Sequence, residues 1–201
     1  MNVEYMSVFP TVVWFGKGDL DNERLYNKCK AFSRVKETGL LSNVGGYQGE
    51  DFKDEELFKF ILESIPQVEG KEFIGEMFDN VEKLDDLFTI FSWVNINGQG
   101  HRNDRHNHFA HSIPTFLSGV YYVKVPKDSG VIRFYDPRGP MTQNTLDQEY
   151  YFNSPPYQYL EPEEGQVVFF PTWLDHDVTY NTNEEERVSI AFNIMIKKSN
   201  S

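Results

Sequence analysis

The spacing of apolar positions changes period near Phe88. Before it the repeats are helical. Between Leu20 and Val35, residues Leu25, Cys29 and Phe32 recur at steps of four and three with charged residues opposite, the stripe of an amphipathic helix. The spacing predicts a second helix over Asp54 to Ser64, with Leu57, Phe60 and Ile61 facing inward. A third is predicted over Lys71 to Phe88, with Phe73, Met77, Val81 and Leu84 on one side. Pro66 ends the second helix and the change of period ends the third. Upstream, Tyr5 to Phe15 is rich in aromatic and β-branched residues and broken by Pro10, which predicts an extended or edge strand. Glycines at 39, 45, 46 and 49, with Ser42 and Asn43 among them, predict a loop of the kind that covers a pocket mouth.

From Phe88 onward the pattern is that of strands. F-T-I-F-S-W-V-N-I-N alternates, as does Ile113 to Val125; G-V-I-R-F-Y-D-P, G-Q-V-V-F-F-P-T-W and R-V-S-I-A-F-N-I-M-I-K follow, separated by Gly, Pro and Asn. Short strands in succession behind a helical front predict an α+β chain built on an antiparallel sandwich or barrel. The expectation is one domain over residues 1–201, with a helical front over 1–88 and a β-barrel core over 88–198. The polar stretch from Arg138 to Pro156 is long for a loop in a compact domain and is a candidate lid or substrate loop.

Composition narrows the partners. The net charge of −12, with no basic stretch to offset it, excludes a general nucleic-acid binder. Cys29 is the single cysteine, so there is no internal disulfide or thiolate-rich metal site, in keeping with a reducing compartment. With no basic-then-apolar leader and no apolar run of spanning length, the expectation is a cytoplasmic protein that does not engage a membrane.

The candidate chemistry lies between His106 and Arg187. Four of the five histidines fall between residues 101 and 111. His106 and His108 are one residue apart, so at the end of a strand both side chains point to one face and share an ion. His176, 70 residues beyond His106 and at the end of an apolar run, supplies a third ligand. Two near ligands and one distant one, with open positions left over, is how a non-heme iron centre is usually built. The rival reading of His106 and His108 is a polar, solvated turn.

The order of elements resembles the Fe(II)/2-oxoglutarate-dependent oxygenases, and within them a small phage and bacterial branch. The matching residues are His106-Asn107-His108, Ser118 to Val123 (S-G-V-Y-Y-V), Asp136-Pro137-Arg138, His176 and Arg187-Val188-Ser189, with the N-terminal S-V-F-P-T in addition. This resemblance implies a double-stranded β-helix, a jelly-roll or cupin-like core with the N-terminal helices packed on it. The implied activity is a dioxygenase that uses Fe(II), 2-oxoglutarate and O2, hydroxylating a substrate as 2-oxoglutarate is decarboxylated to succinate. The substrate class left open is a small molecule or a protein side chain, in a host cytoplasm if the gene is a phage's. By the same resemblance Arg187 pairs with the distal carboxylate of 2-oxoglutarate, and Ser189 and Tyr122 touch the co-substrate, Tyr121 facing the other way. Trp93, Asn95 and Arg138 are the candidates to meet substrate.

One departure stands out. His108 occupies the place where the superfamily usually carries a carboxylate. Three explanations stay open: a three-histidine site of His106, His108 and His176; Asp136 as a reserve ligand; or Asp104, Asp175 or Asp177 orienting a histidine from behind. Two rival functions stay open with them. One is a cupin-type dioxygenase with three histidines and no 2-oxoglutarate; the other is a β-barrel module that binds metal without turnover.

Overall fold

The computed structural model of the chain describes residues 10–39, 42–65, 84–109, 115–138 and 157–197. Two antiparallel sheets face each other. The larger contains β1 (Trp14–Lys17), β3 (Tyr47–Glu50), β4 (Phe88–Asn97), β6 (Thr115–Lys124), β9 (Gln166–Phe170) and β11 (Arg187–Ile196), in the order β1-β9-β6-β11-β4-β3. The smaller contains β2 (Asn43–Val44), β5 (Arg102–His106), β7 (Ile132–Tyr135), β8 (Tyr157–Leu160) and β10 (His176–Val178), in the order β2-β5-β10-β7-β8. This is the antiparallel sandwich expected from the strand pattern and the jelly-roll that the resemblance implies, with helices on one side.

Alternation along the central strands sorts side chains between two layers. On β11, Val188, Ile190, Phe192 and Ile194 face the helices, where they pack with Leu25 and Cys29 of α1 (Asn22–Val35) and Leu57 and Ile61 of α2 (Glu55–Ser64). Arg187, Ser189 and Ala191 face the other sheet and line the cavity between the two. β6 is sorted the same way. Tyr121 lies in the helix-side core and donates to Asn22 Oδ1, whereas Tyr122 lies in the inter-sheet cluster with Val120, Phe134 and Phe170. The contrast between Tyr121 and Tyr122 is thus a consequence of period 2. Gly119 belongs to the helix-side face, and a Cβ there would sit 2.5 Å from both Phe192 Cζ and Val168 O.

Both helices start on aspartate caps. Asp21 accepts from Arg24 N and Asp54 from Leu57 N. Asp54 is buried and also receives Arg24 and Lys28 of α1, which ties the two helices together. Burial alone would raise its carboxyl, but these hydrogen bonds hold it well below the usual carboxylate range.

Several expectations need correction or restriction. The glycine-rich stretch predicted as a loop contains two short strands joined through Gly45 (φ 79°), one in each sheet: β2 pairs with β5, and β3 with β4 along Tyr47 to Glu50. Glycine content masked the pairing, since the strands are short and Gln48 and Gly49, not apolar residues, are buried in β3. The front of the chain is therefore not purely helical. Of the third predicted helix only its end is described, as α3 (Leu84–Leu87), and Phe88 already belongs to β4; the rest lies outside the described residues. So do most of the Arg138 to Pro156 stretch and most of the S-V-F-P-T segment. Trp14–Lys17 forms the expected edge strand, displaced toward the end of the predicted run.

Candidate metal centre

β5 and β10 are neighbours in the smaller sheet, and His106 pairs directly with His176 across them. His108 follows the end of β5, where its N–H donates to Thr172 O at 2.8 Å. The ring centroids lie 4.4 Å (His106–His176), 4.9 Å (His108–His176) and 5.3 Å (His106–His108) apart. One nitrogen from each ring falls within 4.8 Å of the others. The solvated-turn reading of the two near histidines does not hold: the end of β5 and the residues just after it bring both rings against His176 of β10.

What fixes the rings decides whether they can bind. His106 Nδ1 lies 2.7 Å from Asp104 O and His176 Nδ1 2.8 Å from Leu174 O. A carbonyl only accepts, so each Nδ1 bears the proton and each Nε2 is left with a free lone pair. His108 Nδ1 lies 3.0 Å from Asn193 Oδ1 and follows the same logic. Burial, helped by the neighbouring imidazoles, pushes His108 down to about 3 and His176 down to about 4; burial also lowers His106. Three neutral imidazoles with converging bare nitrogens fit a divalent transition metal.

None of the three aspartates considered from sequence orients a ring through its carboxylate. Asp104 contributes its backbone carbonyl while its side chain takes Arg102, Asp175 takes Arg105 and Asn107, and Asp177 takes Arg133 and Tyr135. The reserve ligand Asp136 stands apart from the cluster, with both carboxylate oxygens on Arg138. Arg138 is exposed and committed to that pair, so it is not at the cavity.

A cavity opens beside the histidines. Trp93, Asn95, Tyr122, Arg187 and Ser189 line it, and no Asp or Glu does among the described residues. Trp93 meets His108 edge-on at 5.2 Å, and Phe170 lies 4.6 Å from His176. Asn95 is buried with Oδ1 unpartnered. Arg187 is 2% exposed, so it is not in a surface ion pair with the adjacent glutamates. Those glutamates are engaged elsewhere, Glu185 with Lys124 and Glu186 with Lys30. Arg187 Nη1 donates to Ser129 O at 3.2 Å and reaches toward Gly130 O at 3.5 Å, Nε has no partner, and among the described residues no carboxylate pairs with it. Burial lowers its pKa, with Tyr122 the facing group; burial in turn pushes the Tyr122 hydroxyl up to about 12. Gly130 makes the fit possible: at φ 97° a Cβ would lie 2.5 Å from Thr179 O and 3.2 Å from Arg187 Nη1. Sequence reasoning did not find Gly130, Ser129, Leu174 or Asn193; only Asn193 carried a signal, the alternation that puts it on the face of Arg187 and Ser189.

Residues 91–193 match the family model described as "Putative 2OG-Fe(II) oxygenase". The chain belongs to this family. Fe(II), 2-oxoglutarate and O2 are the cofactor and co-substrates that membership carries, and the activity is that of an oxidoreductase. No curated protein matches the chain in sequence. Among solved structures, the fold is similar to a prolyl-4-hydroxylase of Pseudomonas putida, with TM-score 0.62 and 16% identity over 94% of each chain. It is similar also to a prolyl hydroxylase of Trichoplax adhaerens in complex with a hypoxia-inducible-factor peptide fragment, with TM-score 0.60 and 13% identity over 91% of this chain and 83% of that one. HygX of Streptomyces hygroscopicus, solved with nickel and 2-oxoglutarate, gives TM-score 0.58 and 11% identity over 92% and 83%. Among the described residues no helix is long and apolar enough to cross a membrane.

Proposed function

We propose that the chain is an Fe(II)- and 2-oxoglutarate-dependent hydroxylase in which His106, His108 and His176 hold the metal and Arg187, Ser189 and Tyr122 receive the distal carboxylate of the keto acid. The observation that carries the reading is Arg187: a guanidinium buried without a carboxylate partner among the described residues, facing the cavity that the three histidines face. A planar donor fork in that state calls for an anionic ligand, and a carboxylate matches it best. When bound, iron and the keto acid supply the oxidative chemistry, in which substrate C–H, O2 and 2-oxoglutarate become C–OH, succinate and CO2. The chain's own share is positional. Asp104 and Leu174 hold His106 and His176 with the nitrogen lone pairs free, while Phe134, Phe170, Val120 and Ile132 keep the inner wall dry. Trp93 and Asn95 are placed to meet substrate, which we take to be a small molecule or a peptide side chain; the Trichoplax relative was solved with a peptide.

The test is an anaerobic titration with Fe(II) and then 2-oxoglutarate, followed by the visible charge-transfer band that forms when a keto acid chelates iron. A band in the parent that is lost in Arg187→Ala, with iron still bound, is expected. Bound iron without a band would overturn the 2-oxoglutarate reading. The all-histidine ligand set supports a second reading, a three-histidine dioxygenase that binds substrate directly at the metal. In that case turnover would survive loss of Arg187.

A further inference from the structure

We propose that Asn193 is a positioning residue for the metal centre: it sets the tautomer of His108, and Ser118 holds it in place. The inference rests on the reading of the three histidines as ligands.

The three rings are not held alike. His106 and His176 each give Nδ1–H to a carbonyl two residues earlier in the chain, Asp104 O and Leu174 O, so the local chain conformation orients them. His108 has no such carbonyl. Its Nδ1 lies 3.0 Å from Asn193 Oδ1, a side-chain atom 85 residues away on the opposite sheet. The same oxygen accepts from Ser118 Oγ at 2.7 Å, and Ser118, fully buried on β6, is the direct cross-strand partner of Asn193. The placement follows from the strand period, because Asn193 is on the cavity face of β11 with Arg187, Ser189 and Ala191.

The chemistry is decided by which end of the amide faces the ring. With Oδ1 toward His108, the ring must donate from Nδ1 and Nε2 stays bare. With the amide turned over, Nδ2 would donate to Nδ1 and the ring proton would move to Nε2, removing a ligand from the site. Asn193 therefore controls whether the third imidazole can bind at all, in the place where a backbone carbonyl serves the other two. Groups behind ligating histidines carry about 10–100-fold in metal affinity.

The test uses metal-free protein and Co(II). Long-range 1H–15N NMR reads the His108 tautomer, and Co(II) titration followed by d–d absorption reads affinity and geometry. Asn193→Leu removes the acceptor at similar size. It should shift His108 away from the Nδ1–H form and weaken Co(II) at least 10-fold with an altered spectrum. Asn193→Asp keeps an acceptor at the same atom and should retain the Nδ1–H form with Co(II) bound at least as tightly as in the parent. A purely structural role in joining β11 to β6 would instead lower the melting temperature and leave tautomer and spectrum unchanged, and that result overturns the proposal. Should Asn193→Leu fail to fold, Asn193→Asp decides: a 10-fold or greater loss of Co(II) overturns it. A parent that takes up no Co(II) would refute the metal-site reading itself, while the tautomer measurement still tests the link between Asn193 and His108.

Discussion

Arg187→Met should stabilise the ligand-free protein and destroy its response to 2-oxoglutarate. The substitution trades a buried guanidinium for an apolar chain of similar reach. It loses the 3.2 Å bond to Ser129 O, a charged donor to a carbonyl, at about 1.5–3 kcal/mol; the 3.5 Å contact with Gly130 O is too long to weigh much. It also removes the desolvation penalty of a buried ion, about several kcal/mol, which no carboxylate offsets among the described residues. The balance favours the variant by about 1 kcal/mol, or about 2–4 °C in melting temperature for a chain of this size. With Mn(II) present as a redox-silent metal and 2-oxoglutarate at about 100 times its dissociation constant, the parent gains about 2.7 kcal/mol and the variant gains none. The order of the two melting curves should therefore invert on adding the keto acid, which calorimetry under the two conditions reads directly. A variant less stable than the parent by more than about 1 kcal/mol without keto acid would refute the claim that the guanidinium is strained for want of an anion. Equal shifts in both proteins would refute its role in binding.

His176→Ala should reduce metal retention at least about 100-fold, since a ligand is lost outright, whereas Asp136→Ala should leave retention unchanged because that carboxylate belongs to Arg138; metal content after desalting compares them, and parental retention by the His176 variant would sink the site. Metal-free protein should lose stability as pH falls below about 6.5, the value for an unfolded histidine. The unfolded chain takes up protons first, because His108 and His176 titrate at about 3 and about 4 when folded. The loss should run to about 1.4 kcal/mol per pH unit and ring, be complete only below those folded values, and be smaller in a His108→Leu, His176→Leu variant, which keeps only His106 of the three, in urea unfolding at pH 7.5 and 5; an equal slope in that variant would count against it. Asp54→Ala removes a helix cap and the acceptor shared by Arg24 and Lys28, and should cost about 2–3 kcal/mol in urea unfolding without altering Mn(II) affinity; a change of less than about 0.5 kcal/mol would show that the two helices are held by their apolar faces alone.

The parts of this molecule written in period are the parts that sequence revealed. β4 and β11 alternate and β6 and β9 are runs of β-branched and aromatic residues, so their existence, and the placing of Ser189 on the face of Arg187, follow from the strand pattern, whereas Tyr122 came from the family resemblance. β5 is different. Its outward side carries Arg102 and Arg105 and its inward side Asn103 and His106, so a strand built to hold a metal shows no apolar alternation. β10 is three residues long and depends on β5 and β7 for its pairing. What holds the rings was equally hidden, because backbone carbonyls such as Leu174 O have no side-chain signature, and the search for carboxylates at Asp104, Asp175 and Asp177 pointed to groups that serve arginines on the outer face. Arg187 illustrates the remaining limit: its neighbours in sequence are glutamates, yet the strand turns it inward and leaves them outside.

The charge of the cavity also dictates how its occupants depend on one another. Three neutral imidazoles and one guanidinium line it, with no carboxylate among the described residues, so a divalent cation that arrives alone adds to an existing positive charge. At an effective dielectric near 20 a single carboxylate 4 Å from such an ion would contribute about 8 kcal/mol of gross attraction, and here the protein withholds it. A dianion that arrives alone finds only Arg187. Bound together, the dianion offsets two of the three positive charges of metal and Arg187, so metal and dianion should each raise the affinity of the other by the same factor. Couplings of this kind run to about 5–150-fold. The Mn(II) dissociation constant should therefore fall at least about 5-fold when 2-oxoglutarate saturates the site, and succinate, which keeps both charges but lacks the keto oxygen, should reproduce part of that gain. Mn(II) affinity indifferent to either dianion would mean that a carboxylate elsewhere in the chain already completes the site, and the three-histidine description would then be wrong.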